Sequence, residues 1–259
     1  MRIAICFSGQ IRTGVKASKI IKRYIGDLYN QTDFFMHTWN ISQAKQWHPD
    51  SLKSKEHGIN NPPVESGYAL SATMDSVYDQ KFLKVKIENF HEWNTHFIKE
   101  YKSFSPLWYS WYESILLKQQ IEREQNFVYD VVIKMRPDII FPESRALEQE
   151  INHFIEYGNN FYAMGYSPIR IDDVFFLSNS NTMDLASRML LDTPKREWEV
   201  NLFGEYLESV GITCMNTKDT LYAILREEVF NYDVSTNFNL CFNLDRDYYA
   251  PYDTTRIPI

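Results

Sequence analysis

Three stretches of the chain hold residue types that could do chemistry. The first is I-A-I-C-F-S-G-Q-I-R-T-G, residues 3–14, where an apolar run feeds into Ser8, Gly9 and Gln10, then Arg12 and Gly14. Gly9 and Gly14 have the spacing of a phosphate-cradling loop, but Val15 stands where such a loop needs lysine, and Lys16 comes one residue late. That slip turns the ammonium away from the phosphates. The dinucleotide pattern G-x-G-x-x-G is also absent. Two readings remain. One is a plain strand-to-helix turn with an exposed arginine. In the other, Gly9 lets a ring or ribose approach the backbone while Arg12 pairs with a diphosphate.

The second stretch is Y-D-V-V-I-K-M-R-P-D-I-I-F, residues 129–141. An acid inside an apolar run is costly unless something satisfies it. Arg136 lies two positions from Asp138, so an internal ion pair is one explanation. The other is that the strand stops at Met135 and Asp138 enters a crevice to hold Mg²⁺ or Mn²⁺, since one carboxylate plus substrate phosphates suits such a cation. The third stretch, I-D-D-V-F-F-L at 171–177, puts Asp172 and Asp173 at the head of an apolar strand. Adjacent strand residues point to opposite faces, so at most one would enter a site, as a general base toward an acceptor hydroxyl. The bland alternative is an exposed acidic turn.

His37 follows a second apolar run and would either touch ligand or be a satisfied core histidine. The other histidines lack metal-ligand spacing, and no G-x-S-x-G or paired Cys/His arrangement suggests a hydrolase.

These residues need a scaffold. Residues 2–8 read as a strand covered on both faces, Val15 to Tyr29 has helical spacing, and Phe34-Phe35-Met36 begins another buried strand. That β-α-β opening predicts an open α/β sheet with mostly parallel strands flanked by helices. In such a sheet, strand ends at the carboxyl edge face the ligand crevice. Residues 41–67 form a polar excursion, and F-L-K-V-K-I at 82–87 fits a strand with one wet face. Ser105-Pro106 starts a helix whose Trp108, Trp111, Tyr112, Ile115 and Leu116 mark a packing face. Helical patterns follow at about 181–191, 197–210 (stopped by Gly211) and 217–229. No repeat or Gly/Ser linker interrupts the chain, so residues 1–259 read as one domain with a helical part from about 181.

Composition narrows the function classes. The 259 residues include 17 Tyr, 17 Phe and 6 Trp, ample for a core. With 27 basic against 34 acidic residues the net charge is −7, which disfavours a general grip on nucleic acid. Cys6, Cys214 and Cys241 are odd in number and far apart, so they read as reduced thiols. There is no signal-peptide pattern and no run of about 20 apolar residues for a transmembrane segment. The expected location is cytoplasmic, with contact at a membrane surface the lesser alternative.

Taken in order, R-I-A-I-C-F-S-G-Q-I-R, D-F-F-M-H-T-W-N, Y-D-V-V-I-K-M-R-P-D-I-I-F and I-D-D-V-F-F-L-S-N-S-N-T-M resemble the strand motifs of GT-A-type glycosyltransferases of polysaccharide-biosynthesis clusters and some viruses. The matched pieces span residues 2–190. The resemblance implies a GT-A-like, Rossmann-like fold and transfer of a sugar from a nucleotide-diphosphate sugar donor to a saccharide acceptor. It places Ser8, Gly9 and Arg12 at the nucleotide; Gln10 and His37, read above at the same sheet edge, join them with Arg136 as candidate contacts to the nucleotide sugar. It also matches Asp138 to the last acid of a D-x-D metal element, with Arg136 where the first acid would stand. A divalent cation on Asp138 and charge neutralisation by Arg136 are therefore both open, and Asp172 and Asp173 become the candidate base. A sugar nucleotidyltransferase and a non-catalytic sugar-binding protein are the alternatives. The former needs a longer Gly- and Arg-rich first loop than Gly9 to Gly14 supplies.

Overall fold

The computed structural model describes residues 1–11, 14, 17, 21–40, 82–90, 92, 93, 95, 106–141, 143–158, 160–165, 171–192, 200–216, 223 and 224. Arg12, the polar excursion 41–67, the other residues of the expected 217–229 helix and Cys241 lie outside them.

Strand β1 (Ile3–Ser8) is followed by helix α1 (Ile21–Ile25), a 3-10 turn (Gly26–Gln31) and β2 (Thr32–Trp39). Next come β3 (Phe82–Glu88), the long helix α2 (Pro106–Gln125) and β4 (Val131–Met135). A short β5 (Ile139–Ile140), helix α3 (Ala146–Tyr157), β6 (Phe161–Gly165) and β7 (Ile171–Ser178) follow. The described chain ends with α4 (Ser180–Ser187), α5 (Met189–Asp192), α6 (Val200–Ser209), β8 (Cys214–Asn216) and β9 (Ala223–Ile224).

Seven strands form one open sheet in the order β3-β2-β1-β4-β7-β6-β8. Only β7 opposes its neighbours; β1 is parallel to β2 and β4, β2 to β3, and β6 to β8. The mostly parallel, helix-flanked sheet expected from the β-α-β opening is what the chain forms. Its central strands are apolar at successive positions because both faces are covered. Ile5, Phe7, Phe34 and Ile133 pack with Tyr24, Ile25, Leu147 and Ile151 on one face. Ala4, Cys6, Phe35 and Val132 pack with Trp108, Trp111, Ile115 and Phe203 on the other.

The aromatic stripe of α2 is therefore packing: Trp111 lies 4.8 Å from Phe176, and Trp108 lies 4.8 Å from Phe203, centroid to centroid. Gly211 takes φ +75° just past α6, as its stop signal predicts. One expectation fails. Within the span read as a helix at 217–229, Ala223 and Ile224 form β9, paired antiparallel with Ile140 and Ile139 in a separate two-stranded sheet. Backbone partners offered by a distant segment override a weak local periodicity. No helix among the described residues is long and apolar enough to cross a membrane.

Candidate functional site

The sheet order turns around at β1. The chain lays β2 and β3 on one side of it, then returns to place β4 on the other. In open α/β sheets, such a reversal opens a crevice beyond the carboxyl ends of the two strands. Here those ends are Ser8-Gly9-Gln10 and Met135-Arg136-Pro137-Asp138. The register pairs Phe7 with Met135 and Ser8 with His37, which fixes both segments at one edge. Because β7 runs the other way, with Phe175 opposite Met135, its beginning at Ile171-Asp172-Asp173 reaches the same edge.

The two walls touch. A Cβ placed on Gly14 would lie 2.7 Å from Pro137 Cβ and 3.0 Å from its carbonyl oxygen, so only a glycine admits this approach. Gly9 takes φ +106°, a conformation side chains rarely adopt. Its N–H donates to Ser110 Oγ at 2.6 Å and to the His37 carbonyl at 3.3 Å. Ser8 is fully buried, and its Oγ has no hydrogen-bond partner among the described residues. A buried hydroxyl without a partner loses the bond that water would give it, so this atom suits a ligand group better than an empty wall. Gln10 is half-buried beside it.

Across the crevice, Arg136 donates to both oxygens of Asp138, from Nε at 2.9 Å and from a terminal nitrogen at 2.6 Å. Asp138 is buried, while the Arg136 side chain keeps 16 % of its surface in solvent. This is the internal ion pair that the spacing allowed, in the bidentate form that guanidinium and carboxylate favour. With both Asp138 oxygens on Arg136, a cation at this carboxylate would have to compete with a guanidinium. Among the described residues no group of three His, Cys, Asp or Glu side chains could hold a metal ion.

Lys134 was not singled out by the sequence reasoning. It is fully buried on β4, its Nζ donates to the Asp173 carbonyl, and it sits 4.7 Å from the Phe176 ring centroid. The signal was present: Lys134, Arg136 and Asp138 alternate, so a charge recurs every second residue on a segment otherwise made of core. Asp173 is half-buried; of the acidic pair, only its backbone contact is described.

His37 is fully buried and not open to solvent. Its Nδ1 lies 2.8 Å from Ser110 Oγ, and its Nε2 lies 2.6 Å from Glu88 Oε2. Burial pushes its pKa below the ordinary value against the pull of Glu88. Burial works to raise the Glu88 carboxyl, but the hydrogen bonds from His37 and Tyr109 and the charges of His37 and Lys86 outweigh it, holding the pKa at about 2. Lys86 bridges Glu88 at 3.3 Å and Glu113 at 2.6 Å. Neither Glu88 nor Ser110 has a local sequence signal; each gains its meaning only when β3 and α2 meet the end of β2.

No protein-family model and no curated protein sequence matches the chain. Among solved structures, it is similar to a putative glucose-1-phosphate thymidylyltransferase from Bacillus anthracis in complex with a sucrose. The identity there is 9 % and the TM-score 0.45, over 86 % of this chain and 89 % of that one. It is similar to the galactosyltransferase LgtC in complex with donor and acceptor sugar analogues at 9 % identity and TM-score 0.40, over 84 % and 73 %. The glycosyltransferase GlyE of Streptococcus pneumoniae gives 12 % and 0.40, over 84 % of this chain and 45 % of its own. At TM-scores below 0.5 these likenesses carry no argument about chemistry.

Proposed function

We propose that the protein is a glycosyltransferase that moves a sugar from a nucleotide-diphosphate sugar to a hydroxyl of a saccharide acceptor, in the synthesis of a glycan or polysaccharide. One observation carries the reading. The strand ends bearing Ser8-Gly9-Gln10 and Arg136-Asp138, and the strand start bearing Asp172-Asp173, converge on the single edge where the sheet order reverses. That edge combines a tight glycine turn, a buried hydroxyl without a partner among the described residues and an arginine side chain that keeps 16 % of its surface in solvent, which suit a nucleotide and its diphosphate.

In the proposed reaction the acceptor oxygen attacks the anomeric carbon. The bond from that carbon to the diphosphate oxygen breaks, and its electron pair leaves with the nucleoside diphosphate. Arg136, held flat by Asp138, faces the negative charge that grows on the leaving group. The acceptor proton passes to a carboxylate, for which Asp172 and Asp173 are the candidates. Such charge stabilisation and proton transfer each lower a barrier by a few kcal/mol, roughly 2–4. Arg12 is assigned to the diphosphate on the resemblance alone. The divalent cation implied by the D-x-D likeness remains a proposal, and no step here depends on it.

The test is binding followed by turnover. UDP and GDP are added to the full chain with EDTA, Mg²⁺ or Mn²⁺, and the thermal midpoint is followed. A rise with one nucleotide supports the reading, since a ligand at about 100 times its Kd adds about 2.7 kcal/mol. No rise with any nucleotide in any arm counts against it. Release of nucleoside diphosphate from a panel of sugar nucleotides then separates transfer from mere binding. Release of pyrophosphate from a nucleoside triphosphate and a sugar phosphate would assign a nucleotidyltransferase instead.

A further inference from the structure

The turn after β1 is fastened from far along the chain. Gly9 donates its N–H to Ser110 Oγ, 101 residues away, and the same oxygen lies 2.8 Å from His37 Nδ1 and 3.0 Å from the His37 carbonyl. On the far side of the ring, Nε2 meets Glu88 on β3. The groups around the imidazole are Glu88 and Lys86 from β3, and Tyr109 and Glu113 from α2, with Trp39 edge-on at 5.0 Å.

Ser110 has one hydroxyl proton and two acceptors within reach. With the ring neutral and its proton on Nε2, the hydroxyl donates to Nδ1. With the ring doubly protonated, Nδ1 donates to Oγ and the hydroxyl turns to the His37 carbonyl. Oγ accepts from Gly9 in both states, so no member of the cluster is left without a partner.

We infer that His37 is a positioning residue: its ring clamps the Ser110 hydroxyl, and through it the Gly9 N–H, and so holds the turn at the reversal of the sheet. This differs from direct contact with a nucleotide, since both ring nitrogens are already engaged, by Ser110 and Glu88. The inference rests on the proposed function only for its affinity readout.

The experiment reads amide exchange at Gly9 in the full chain by NMR, with Ile5 as the reference for an intact β1. Ser110→Ala removes the nearer acceptor and leaves Gly9 only the His37 carbonyl at 3.3 Å. His37→Gln reaches the Nε2 position and keeps Glu88 only, whereas His37→Asn reaches the Nδ1 position and keeps Ser110 only. Gly9 exchange should rise about tenfold in Ser110→Ala and His37→Gln and stay within about twofold in His37→Asn, the size of one lost hydrogen bond. UDP or GDP affinity should fall about fivefold in the same two variants, with His37→Asn rescuing it. Imidazole ¹⁵N shifts at pH 7 should report the Nε2–H tautomer. Unchanged Gly9 exchange in Ser110→Ala overturns the inference, as does an Nδ1–H tautomer or exchange as fast in His37→Asn as in His37→Gln. If the unmodified protein binds neither nucleotide, the proposed function falls while the exchange data still decide the role of His37.

Discussion

Two buried ion clusters stand at opposite ends of the same strands, and they are built differently. Where β4 begins and β7 finishes, Lys118 is wholly enclosed, 2.7 Å from Glu122 Oε2 and 2.8 Å from Asp184 Oδ1, with Ser180 completing its set. Glu122 also accepts from Ser180 Oγ and from the Tyr129 N–H. At the crevice end, Arg136 grips a wholly buried Asp138 while its own side chain keeps 16 % of its surface in solvent. The first cluster joins α2 to α4 and to the start of β4, and its partners all come from the protein. In the proposed reaction it is the arginine of the second that would meet the diphosphate. The two differ in which charge is enclosed: the cation in the first, with Asp184 25 % exposed, and the carboxylate in the second.

Breaking the brace should have the largest effect on stability. Lys118→Met leaves the Glu122 and Asp184 carboxylates without their shared, wholly buried cation, at a cost of about 3–5 kcal/mol in a urea melt. A loss no larger than that of Asp138→Asn, about 1–3 kcal/mol, would mean the two clusters are energetically alike. Asp138→Asn should reverse the pattern. It frees a partly solvated arginine, costs about 1–3 kcal/mol of stability and lowers sugar transfer at least about a hundredfold. An active, folded Asp138→Asn enzyme would remove the pair from the chemistry.

Gly14→Ala tests the contact between the walls. Its methyl meets Pro137, so the loop must shift, with a stability cost of about 1–3 kcal/mol and weaker nucleotide binding. Unchanged affinity would show that the width of the crevice there does not matter.

Acid should have the smallest effect. The Glu88 carboxyl titrates at about 2 in the fold against an ordinary value of 4.5, so its contribution is complete above pH 4.5 and fades as pH falls toward about 2. His37, also lowered, has the same sign. Below its ordinary 6.5 the unfolded chain takes the proton first, and stability drops. In melts from pH 7 to pH 3, the advantage of the parent protein over Glu88→Gln should shrink below pH 4.5. A constant advantage would sever the link between Glu88 and the fold.

What could be read in the sequence was whatever a local pattern records. Apolar runs gave β1, β2 and β4, and Ser105-Pro106 located the start of α2 to within a residue. The i, i+2 spacing of Arg136 and Asp138 allowed their ion pair. Lys134 was legible and overlooked. Ser110 and Glu88 were not legible, because a serine in an aromatic helix and a glutamate at a strand end look like ordinary surface until the tertiary fold joins them to His37. The β9 strand was hidden for the same reason, since its partner Ile139-Ile140 lies in another part of the chain.

The long reach of these contacts also orders events in time. During synthesis, the Gly9 turn emerges well before Ser110, and Asp138-Ile139 well before Ile224. Contacts of such high sequence separation close late, because the chain entropy must be spent before they form. The crevice walls therefore set only after the sheet and α2 have assembled. On a growing chain the two halves of each such contact stay apart until the later segment has been made.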